Sequence, residues 1–370
     1  MAEQANAIPF LVRANYVRME VALDGGDLTT TADAVVVAAR IAASAASPEC
    51  VALARLALGQ GELAKGEFGA AIEQLTAGLS VLESLGLWIE VRRCLNTLGI
   101  AYRGLGRIAD AIRVFQGNVA VAERSGHLGG VLQSQLLLGN IYHDVAWFAA
   151  AADSMRAVSG PIEAIRTPRA WAEAYSNIAR LALVLGNHAE AQVAVERCED
   201  GARRSALWRH RVTALMARAD FHLAAGQTSL AWGAVEEAMH IAGDRSHLLP
   251  DGALYTRLQH QYVFATRGYD ALKALGGGGR LAMFDSLIDA FEVRLFDEAV
   301  GLASGDGGTG GTPVLDEAMS YGLLGPLARL IAYGVQHPGV PTRRQGESAA
   351  QLIARAYPHP QRSTIPTAIA

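Results

Sequence analysis

The chain has 370 residues, of which 51% are hydrophobic and 18% are charged, and its formal net charge is −4. This hydrophobic content excludes a disordered chain, and the mixed, slightly acidic charge lacks the basic face that direct nucleic-acid binding requires. The three cysteines are widely spaced and form no CxxC pair, so the sequence predicts neither a zinc site nor a redox couple.

The beginning of the chain shows no targeting signal. Residues 1–4 contain no basic segment in front of a long apolar run, which argues against a signal peptide. No segment has 18 uninterrupted apolar residues, which argues against a membrane-spanning helix. We therefore expect a cytoplasmic protein that binds no membrane.

Three sets of positions recur every 40 residues, and we call each set a column. Their members are Gly59, Gly99, Gly139, Ala179 and Ala219; Gly26, Gly66, Gly106, Ala146, Gly186, Gly226 and Thr266; and Thr31, Ala71, Ala111, Ala151, Ala191, Ala231 and Ala271. Small residues let the backbones of two helices approach each other, and glycine adopts the left-handed conformation that ends a helix. The columns predict seven helix–turn–helix repeats, with helices near 90–105 and 108–124 in the third.

The third copy resembles the tetratricopeptide repeat. It has that family's residues at the family's spacing, namely Leu98-Gly99, Tyr102, Gly106, Ala111 and Phe115. The usual repeat has about 34 residues, and the longer copies here resemble the helical domains of MalT-like and LuxR-type bacterial regulators. The resemblance implies an all-α fold, a right-handed α-solenoid in which stacked helix pairs share one core.

We expect the repeats to fill residues 1–279 and a C-terminal helical cap to follow them. The repeats are placed at about 12–51, 52–91, 92–131, 132–171, 172–211, 212–251 and 252–279. The cap is predicted over 280–357, with helices at 280–303, at 314–336 with a break at Pro326, and at 346–357, and with a glycine-rich loop at 304–313. Residues 358–370 are predicted to be a disordered tail.

The sequence contains no motif of a known catalytic class. It lacks GxxxxGK[ST], HExxH and GxSxG patterns, so we predict that the protein is not an enzyme and binds no cofactor and no metal. Two clusters keep alternative interpretations. The pair His143-Asp144 either performs acid–base chemistry or lines a groove. The basic cluster at 203–211, around Trp208, either binds a phosphate or acidic partner, or is a solvated turn.

In tetratricopeptide proteins the first helix of each repeat lines the concave face, where peptides bind, so the resemblance places binding there. The polar residues in these positions are Arg93, Asn96, Arg103, Gln133, Asn140, His143, Asp144, Glu173, Ser176, Arg180, Asp220 and His260. Asn96 and Asn140 are poor mid-helix residues, and their amides either hold the backbone of an extended peptide or bond a neighbouring helix. The apolar residues Leu53, Leu56 and Leu63 on the same face offer a seat for a partner helix or for a second copy of the chain.

These observations predict a non-catalytic scaffold or regulator that binds a peptide or a partner-protein segment, in bacterial signalling or transcriptional regulation. The alternative is a sensor of a small ligand or a peptide pheromone, and an enzyme subunit is disfavoured. A continuous trough would favour the peptide, and a closed pocket would favour the small ligand.

Overall fold

The computed structural model describes residues 2–25, 27–45, 47–165, 168–205, 207–243, 252–274, 287–304, 312–335 and 341–363. Every regular element in these ranges is helical. The chain forms two compact units, Met1–Ser134 and Gln135–Ala370. The predicted boundary between the repeats and the cap, at residue 279, lies outside the described residues.

The first unit contains six complete helices and the first turns of a seventh. They are α1 (Ala2–Gly25), α2 (Leu28–Ala45), α3 (Pro48–Ala64), α4 (Phe68–Ser84), α5 (Trp88–Gly104), α6 (Ile108–Arg124) and α7 (Leu128–Asp144). The second unit continues with α8 (Phe148–Ile165), α9 (Pro168–Leu185), α10 (His188–Arg204), α11 (Trp208–Ala224), α12 (Thr228–Ala242), α13 (Gly252–Arg267) and α14 (Tyr269–Ala274). Its last helices are α15 (Leu287–Ala303), α16 (Pro313–Ser320), α17 (Gly325–Ala332), α18 (Ala349–Ala356) and α19 (Pro360–Ser363).

The helices follow the predicted period. From α2 to α12, at residues 28, 48, 68 and onward to 228, each helix begins 20 residues after the one before it. Two helices therefore make one 40-residue repeat, which confirms the predicted all-α helix-pair repeat fold. The two helices predicted for the third repeat are α5 and α6.

Residues in the left-handed conformation end these helices. Gly106 has φ 72°, and the Arg107 N–H donates across it to the Tyr102 carbonyl at 2.9 Å, which satisfies a carbonyl of the last helical turn. Gly86 and Gly126 also have positive φ, at 68° and 65°, and end the second helices of their repeats. Gly86 and Gly126 are also 40 residues apart, but they belong to none of the three columns, which include only the turn after the first helix of each repeat.

Two members of the Gly106 column behave differently. Ala146 is the one described non-glycine residue with positive φ, at 60°, so the turn is kept there without glycine. The predicted turn at Thr266 is wrong, because Thr266 lies inside α13 and Gly268, with φ 79°, is the residue that turns the chain. Gly26 lies outside the described residues.

The Gly99 column makes room for a large side chain. A Cβ atom at Gly99 would lie 2.5 Å from the ring of Phe115, which is fully buried on α6. A Cβ atom at Gly59 would lie equally close to Leu75. We expected these positions to bring two backbones together, but the structure shows a large side chain of the second helix occupying the space.

The C-terminal helices differ from the prediction in their bounds. The helix predicted at 314–336 is two helices, and the break lies at residues 321–324, where Gly322 has φ 72°. Pro326 stands in the first turn of α17, where its missing N–H costs no helical hydrogen bond. Residues 360–363, which we expected in a disordered tail, form α19, and Arg362 of this helix donates to the Val145 carbonyl at 3.1 Å.

Parts of the predicted C-terminal region lie outside the described residues. They are 280–286 of the predicted first cap helix, 305–311 of the glycine-rich loop, and 364–370 of the tail. None of the described helices combines the length and the apolar content that crossing a membrane requires.

Candidate functional site

In the first unit, a row of hydrogen-bonded polar side chains crosses the first helices of three successive repeats, α1, α3 and α5. The Gln60 amide on α3 donates to the Tyr16 hydroxyl of α1 at 2.6 Å and to the Thr97 hydroxyl of α5 at 3.2 Å. The Tyr16 hydroxyl donates to Glu20 at 3.1 Å. These residues, together with Arg93 and Asn96 of α5, are called the polar row below.

Arg93 is fixed at one side of the polar row. Its guanidinium lies 4.9 Å from the centre of the Tyr16 ring, and its Nη2 is 3.5 Å from a Glu20 carboxylate oxygen. Burial, followed by the charge of Glu20, raises the pKa of the Tyr16 hydroxyl well above its ordinary value. Tyr16 is therefore a permanent hydrogen-bond donor and acceptor in this row.

Two carbonyl oxygens of the polar row have no hydrogen-bond partner among the described residues. They are Asn96 Oδ1 and Gln60 Oε1, and both atoms are buried. Leaving a buried acceptor unpaired costs about 1–3 kcal/mol. The row therefore has two oriented acceptors that an N–H group of a ligand would satisfy.

Arg92 lies beside the polar row and was not predicted as a site residue. It is only 8% exposed, its Nη1 donates to the exposed Gln133 of α7 at 3.2 Å, and its Nε is buried without a partner in the described structure. Burial, and next the charge of Arg93, lowers the pKa of Arg92. The sequence held a signal for this residue, because its column is otherwise apolar: Val12, Ala52, Leu132, Ala172 and Val212.

The 40-residue step would also have found three further residues of the row, Tyr16, Glu20 and Gln60. Tyr16 belongs to the column of Asn96, and Glu20 and Gln60 belong to the column of Ile100. The leucines of the first two repeats instead predict an apolar seat for a partner helix or a second copy of the chain.

That seat is not open in the structure. Leu53 and Leu56 are buried in the same core cluster as Tyr16 and Met19, and Leu63 is half-buried against it. Residues of α1 share the core that these leucines form, so the two buried leucines offer no surface to a partner.

In the second unit, His143 and Asp144 belong to a buried ion cluster. Arg329 of α17 lies 2.8 Å from His143 Nδ1 and 3.8 Å from an Asp144 carboxylate oxygen, and it also pairs with Glu292 of α15. All four residues are buried. A Cβ atom at Gly325 would lie 2.6 Å from the Asp144 Cα, so the start of α17 is packed directly on the end of α7. In this structure the pair lines no open groove.

The other predicted residues of the second unit are distributed among its helices. His260 is buried, and its Nδ1 lies 2.8 Å from a carboxylate oxygen of Asp297 on α15. Ser176 and Asp220 are buried, and Asn140, Glu173 and Arg180 are half-buried. Arg103, in the first unit, is half-buried as well. Their role in ligand binding stays a prediction.

The basic cluster at 203–211 is partly neutralised within the chain. Arg204 pairs with Asp200 at 2.6 Å and lies 5.4 Å from the centre of the Trp171 ring. Trp208 is half-buried against the core of α11 and α12. These contacts favour the interpretation as a turn over the interpretation as a phosphate site.

Among the residues that the structure describes, no three His, Cys, Asp or Glu side chains lie close enough together to hold a metal ion. The three cysteines are free and buried, and burial raises the pKa of the Cys94 thiol to about 12. A cavity of about 420 Å³ in the second unit is lined by Ile331, Gly334, Val335, Arg343, Arg344, Gln345 and Gly346.

The fold is that of an all-α helical-repeat protein, built from consecutive antiparallel helix pairs of tetratricopeptide-like type. No protein-family model matches the chain, and no curated protein sequence matches it. The Rap conjugation gene regulator of the plasmid pLS20, solved in complex with the Phr* peptide, is similar in structure, with a TM-score of 0.56 and 12% sequence identity. The similarity covers 89% of this chain and 99% of that chain.

A second solved structure is a circular tandem repeat protein with a novel repeat topology and enhanced subunit contact surfaces. It aligns over 95% of this chain and 86% of that chain with 12% identity, but the TM-score of 0.28 is too low to indicate a shared fold. The similarity to the Rap regulator shows the fold alone, because the identity is low.

Proposed function

We propose that this protein is a non-catalytic regulatory scaffold that binds an extended peptide, or an extended segment of a partner protein, along the polar row. The observation that carries the proposal is the pair of buried amide oxygens, Asn96 Oδ1 and Gln60 Oε1, that lack a donor among the described residues. An extended peptide presents backbone N–H groups that donate hydrogen bonds to such oxygens. Tyr16 accepts a hydrogen bond from the Gln60 amide, and Arg93 lies over the Tyr16 ring.

The fold supports the same proposal by analogy. The structurally similar Rap regulator binds a peptide, and helical repeats in general present extended binding surfaces. We propose bacterial signalling or transcriptional regulation as the setting, in keeping with the resemblance of the long repeats to MalT-like and LuxR-type regulators. In that setting, binding of the peptide to this protein would change the activity of a second protein that this protein regulates.

The test uses the full chain and an array of short synthetic peptides of random sequence. We expect a subset of peptides to bind, and we expect Asn96→Ala and Gln60→Ala each to weaken that binding by about 2- to 10-fold, since a hydrogen bond between neutral groups contributes about 0.5–1.5 kcal/mol. Gln192→Ala is the matched control, because Gln192 is an exposed helical amide bonded only to Glu196 among the described residues.

The control variant should bind as the wild type does. Two results would contradict the proposal: an array with no binding peptide, or equal binding by the wild type, Asn96→Ala and Gln60→Ala.

The second candidate function is a sensor for a small ligand, and the cavity in the second unit is the observation that favours it. It is an open surface depression rather than a closed pocket, its volume of about 420 Å³ lies in the range of small-molecule sites, and the exposed Arg343 and Arg344 line it. In a screen of metabolites by thermal shift, a ligand of this cavity should lose its effect in Arg343→Gln and Arg344→Gln but keep it in Asn96→Ala. The opposite pattern would place the ligand on the polar row.

A further inference from the structure

Arg92 is a buried cation without a buried anion. No carboxylate of the described residues forms an ion pair with it, and its one hydrogen-bond acceptor there is the neutral Gln133 amide. The carboxylates of Glu49 and Glu90 both pair with Arg13, each at 2.9 Å. Removing a charge from water without a partner of opposite sign is costly. At Arg92 this cost is offset only in part, by the hydrogen bond to Gln133 and by the more distant negative charge of Glu20.

The surroundings of Arg92 add further positive potential. Its side chain lies against the first turn of α7, so that a Cβ atom at Gly130 would be 2.8 Å from Arg92 Nε. The N-terminus of a helix carries a partial positive charge. The neighbouring Arg93 carries a full charge, and the one carboxylate that pairs with it among the described residues, Glu20, lies 3.5 Å away. Arg92 therefore lies at a helix N-terminus, and the charge of the neighbouring Arg93 adds to the positive potential around it.

The arrangement leaves one edge of the guanidinium unused by the described protein. Gln133 takes the Nη1 donor, whereas Nε and Nη2 make no hydrogen bond to a described residue. Nε and Nη2 together form a fork that matches the two oxygens of a carboxylate. Gly130 is what allows this position, since any larger residue would push the Arg92 side chain off the α7 backbone.

We propose that Arg92, together with the N-terminus of α7, binds a carboxylate of the peptide ligand, either its C-terminal carboxylate or an acidic side chain. This inference rests on the proposed function in that it assigns a ligand group to the end of the polar row. The carboxylate accepts from the Nε–Nη2 edge and lies in the positive field of the α7 first turn. The amide oxygens of the polar row accept hydrogen bonds from the N–H groups of the peptide, and Arg92 fixes the position of the carboxylate of the peptide.

The experiment compares matched probes on the full chain by titration calorimetry. The probes are peptides from the array that carry a single carboxylate, each prepared as the free acid and as the amide, together with sodium acetate and inorganic phosphate alone. We expect the acid to bind about 10- to 100-fold more tightly than the amide, the range of a hydrogen-bonded charged pair. In Arg92→Gln the two forms should bind equally.

Two further variants separate the anion site from a loss of folding. Gly130→Ala keeps every charge but displaces the Arg92 side chain, and it should reduce the preference for the acid. Arg113→Gln is the matched control, because the Arg113 side chain is 76% exposed on the neighbouring helix α6 and pairs with Asp110. It should leave the preference unchanged.

The outcomes also distinguish this inference from the proposed function. If acid and amide peptides bind the wild type equally, the anion site is refuted and the peptide scaffold stands. If no peptide binds but acetate or phosphate binds the wild type and not Arg92→Gln, the anion site stands for a free anion and the peptide scaffold fails. If no probe distinguishes the wild type from Arg92→Gln, the anion site is refuted.

Discussion

Gly99→Ala tests whether the Gly99 column needs small residues because large side chains of the second helix occupy the space beside it. A Cβ atom at Gly99 would lie 2.5 Å from Phe115, a distance that side chains do not tolerate, and Phe115 is fully buried on α6. Overpacking of this kind costs about 1–3 kcal/mol, whereas replacing a mid-helix glycine by alanine gains about 1 kcal/mol. Because the buried ring cannot swing into solvent, we expect the upper end of the cost and a net loss of about 2 kcal/mol.

The chain itself suggests the compensating substitution. Where the Gly99 column has glycine, the facing residue is large, as Leu75, Phe115 and Met155 are. Where the column has Ala179 or Ala219, the residue at the position that corresponds to Phe115 is Val195 or Val235. Phe115→Val alone should cost about 2–3 kcal/mol through the cavity it leaves. In the double variant the two losses should not add, and we expect a favourable coupling of at least about 1 kcal/mol.

The assay is urea unfolding of the full chain for the wild type, the two single variants and the double variant. Gly117→Ala is the control, because Gly117 is an exposed glycine of α6 with open space around its Cα, so alanine should stabilise the protein by up to about 1 kcal/mol. The reasoning is refuted if Gly99→Ala stabilises the protein as Gly117→Ala does, or if the losses of the single variants simply add.

Three further predictions concern stability. Arg329→Met should lower the free energy of unfolding, measured in urea, by about 3–5 kcal/mol, because it removes the cation that pairs with two buried carboxylates. The control Arg156→Met breaks an exposed pair and should cost under about 1 kcal/mol. Equal losses in the two variants would contradict this prediction. The pKa of Cys94 is raised to about 12, above an ordinary value near 9, so between these pH values the unfolded thiol has lost its proton and the folded one has not. Stability should therefore fall as pH rises through this window, and Cys94→Ala should make that fall shallower; an unchanged slope would show that the thiol is not responsible. Gly86→Ala should destabilise the protein by about 1–2 kcal/mol, because Gly86 has φ 68°. The control Gly69→Ala, at a helical glycine with open space around its Cα, should stabilise the protein. A stabilising Gly86→Ala would show that the turn relaxes.

The helix pairs could be predicted because their signal is local. A left-handed turn needs a glycine or a tolerant residue at one position, and the recurrence of Gly66, Gly106, Gly186 and Gly226 sets the period directly. The prediction failed where a neighbouring residue took over the turn, as Gly268 does two positions after Thr266. Such a shift keeps the helix pair but changes its register, so a fixed step along the sequence misses it.

The candidate site was only partly predictable, because burial depends on distant parts of the chain. Arg93 and Asn96 lie on the predicted face; their neighbour Tyr16 lies in the column of Asn96, and Gln60 lies in the column of Ile100. His143 was placed on this face too, yet it is covered by Arg329, which is 186 residues further along the sequence. No repeat register indicates where a non-repeating C-terminal segment packs, so the prediction could not separate open positions from covered ones.

A regular repeat also makes its own exceptions informative. Asn118 is fully buried with both amide atoms unpaired among the described residues, and its column otherwise has Ala38, Gly78, Val158, Cys198 and Ala238. Arg92 is the corresponding exception on the facing helix of the same repeat, in a column of buried apolar residues. A polar group in a core column lowers stability, and function is a common reason for keeping such a group. Both exceptions belong to the third repeat, where Arg93 and Asn96 of the polar row also lie. The column pattern and the geometry of the polar row therefore both indicate the third repeat as the functional part of the chain.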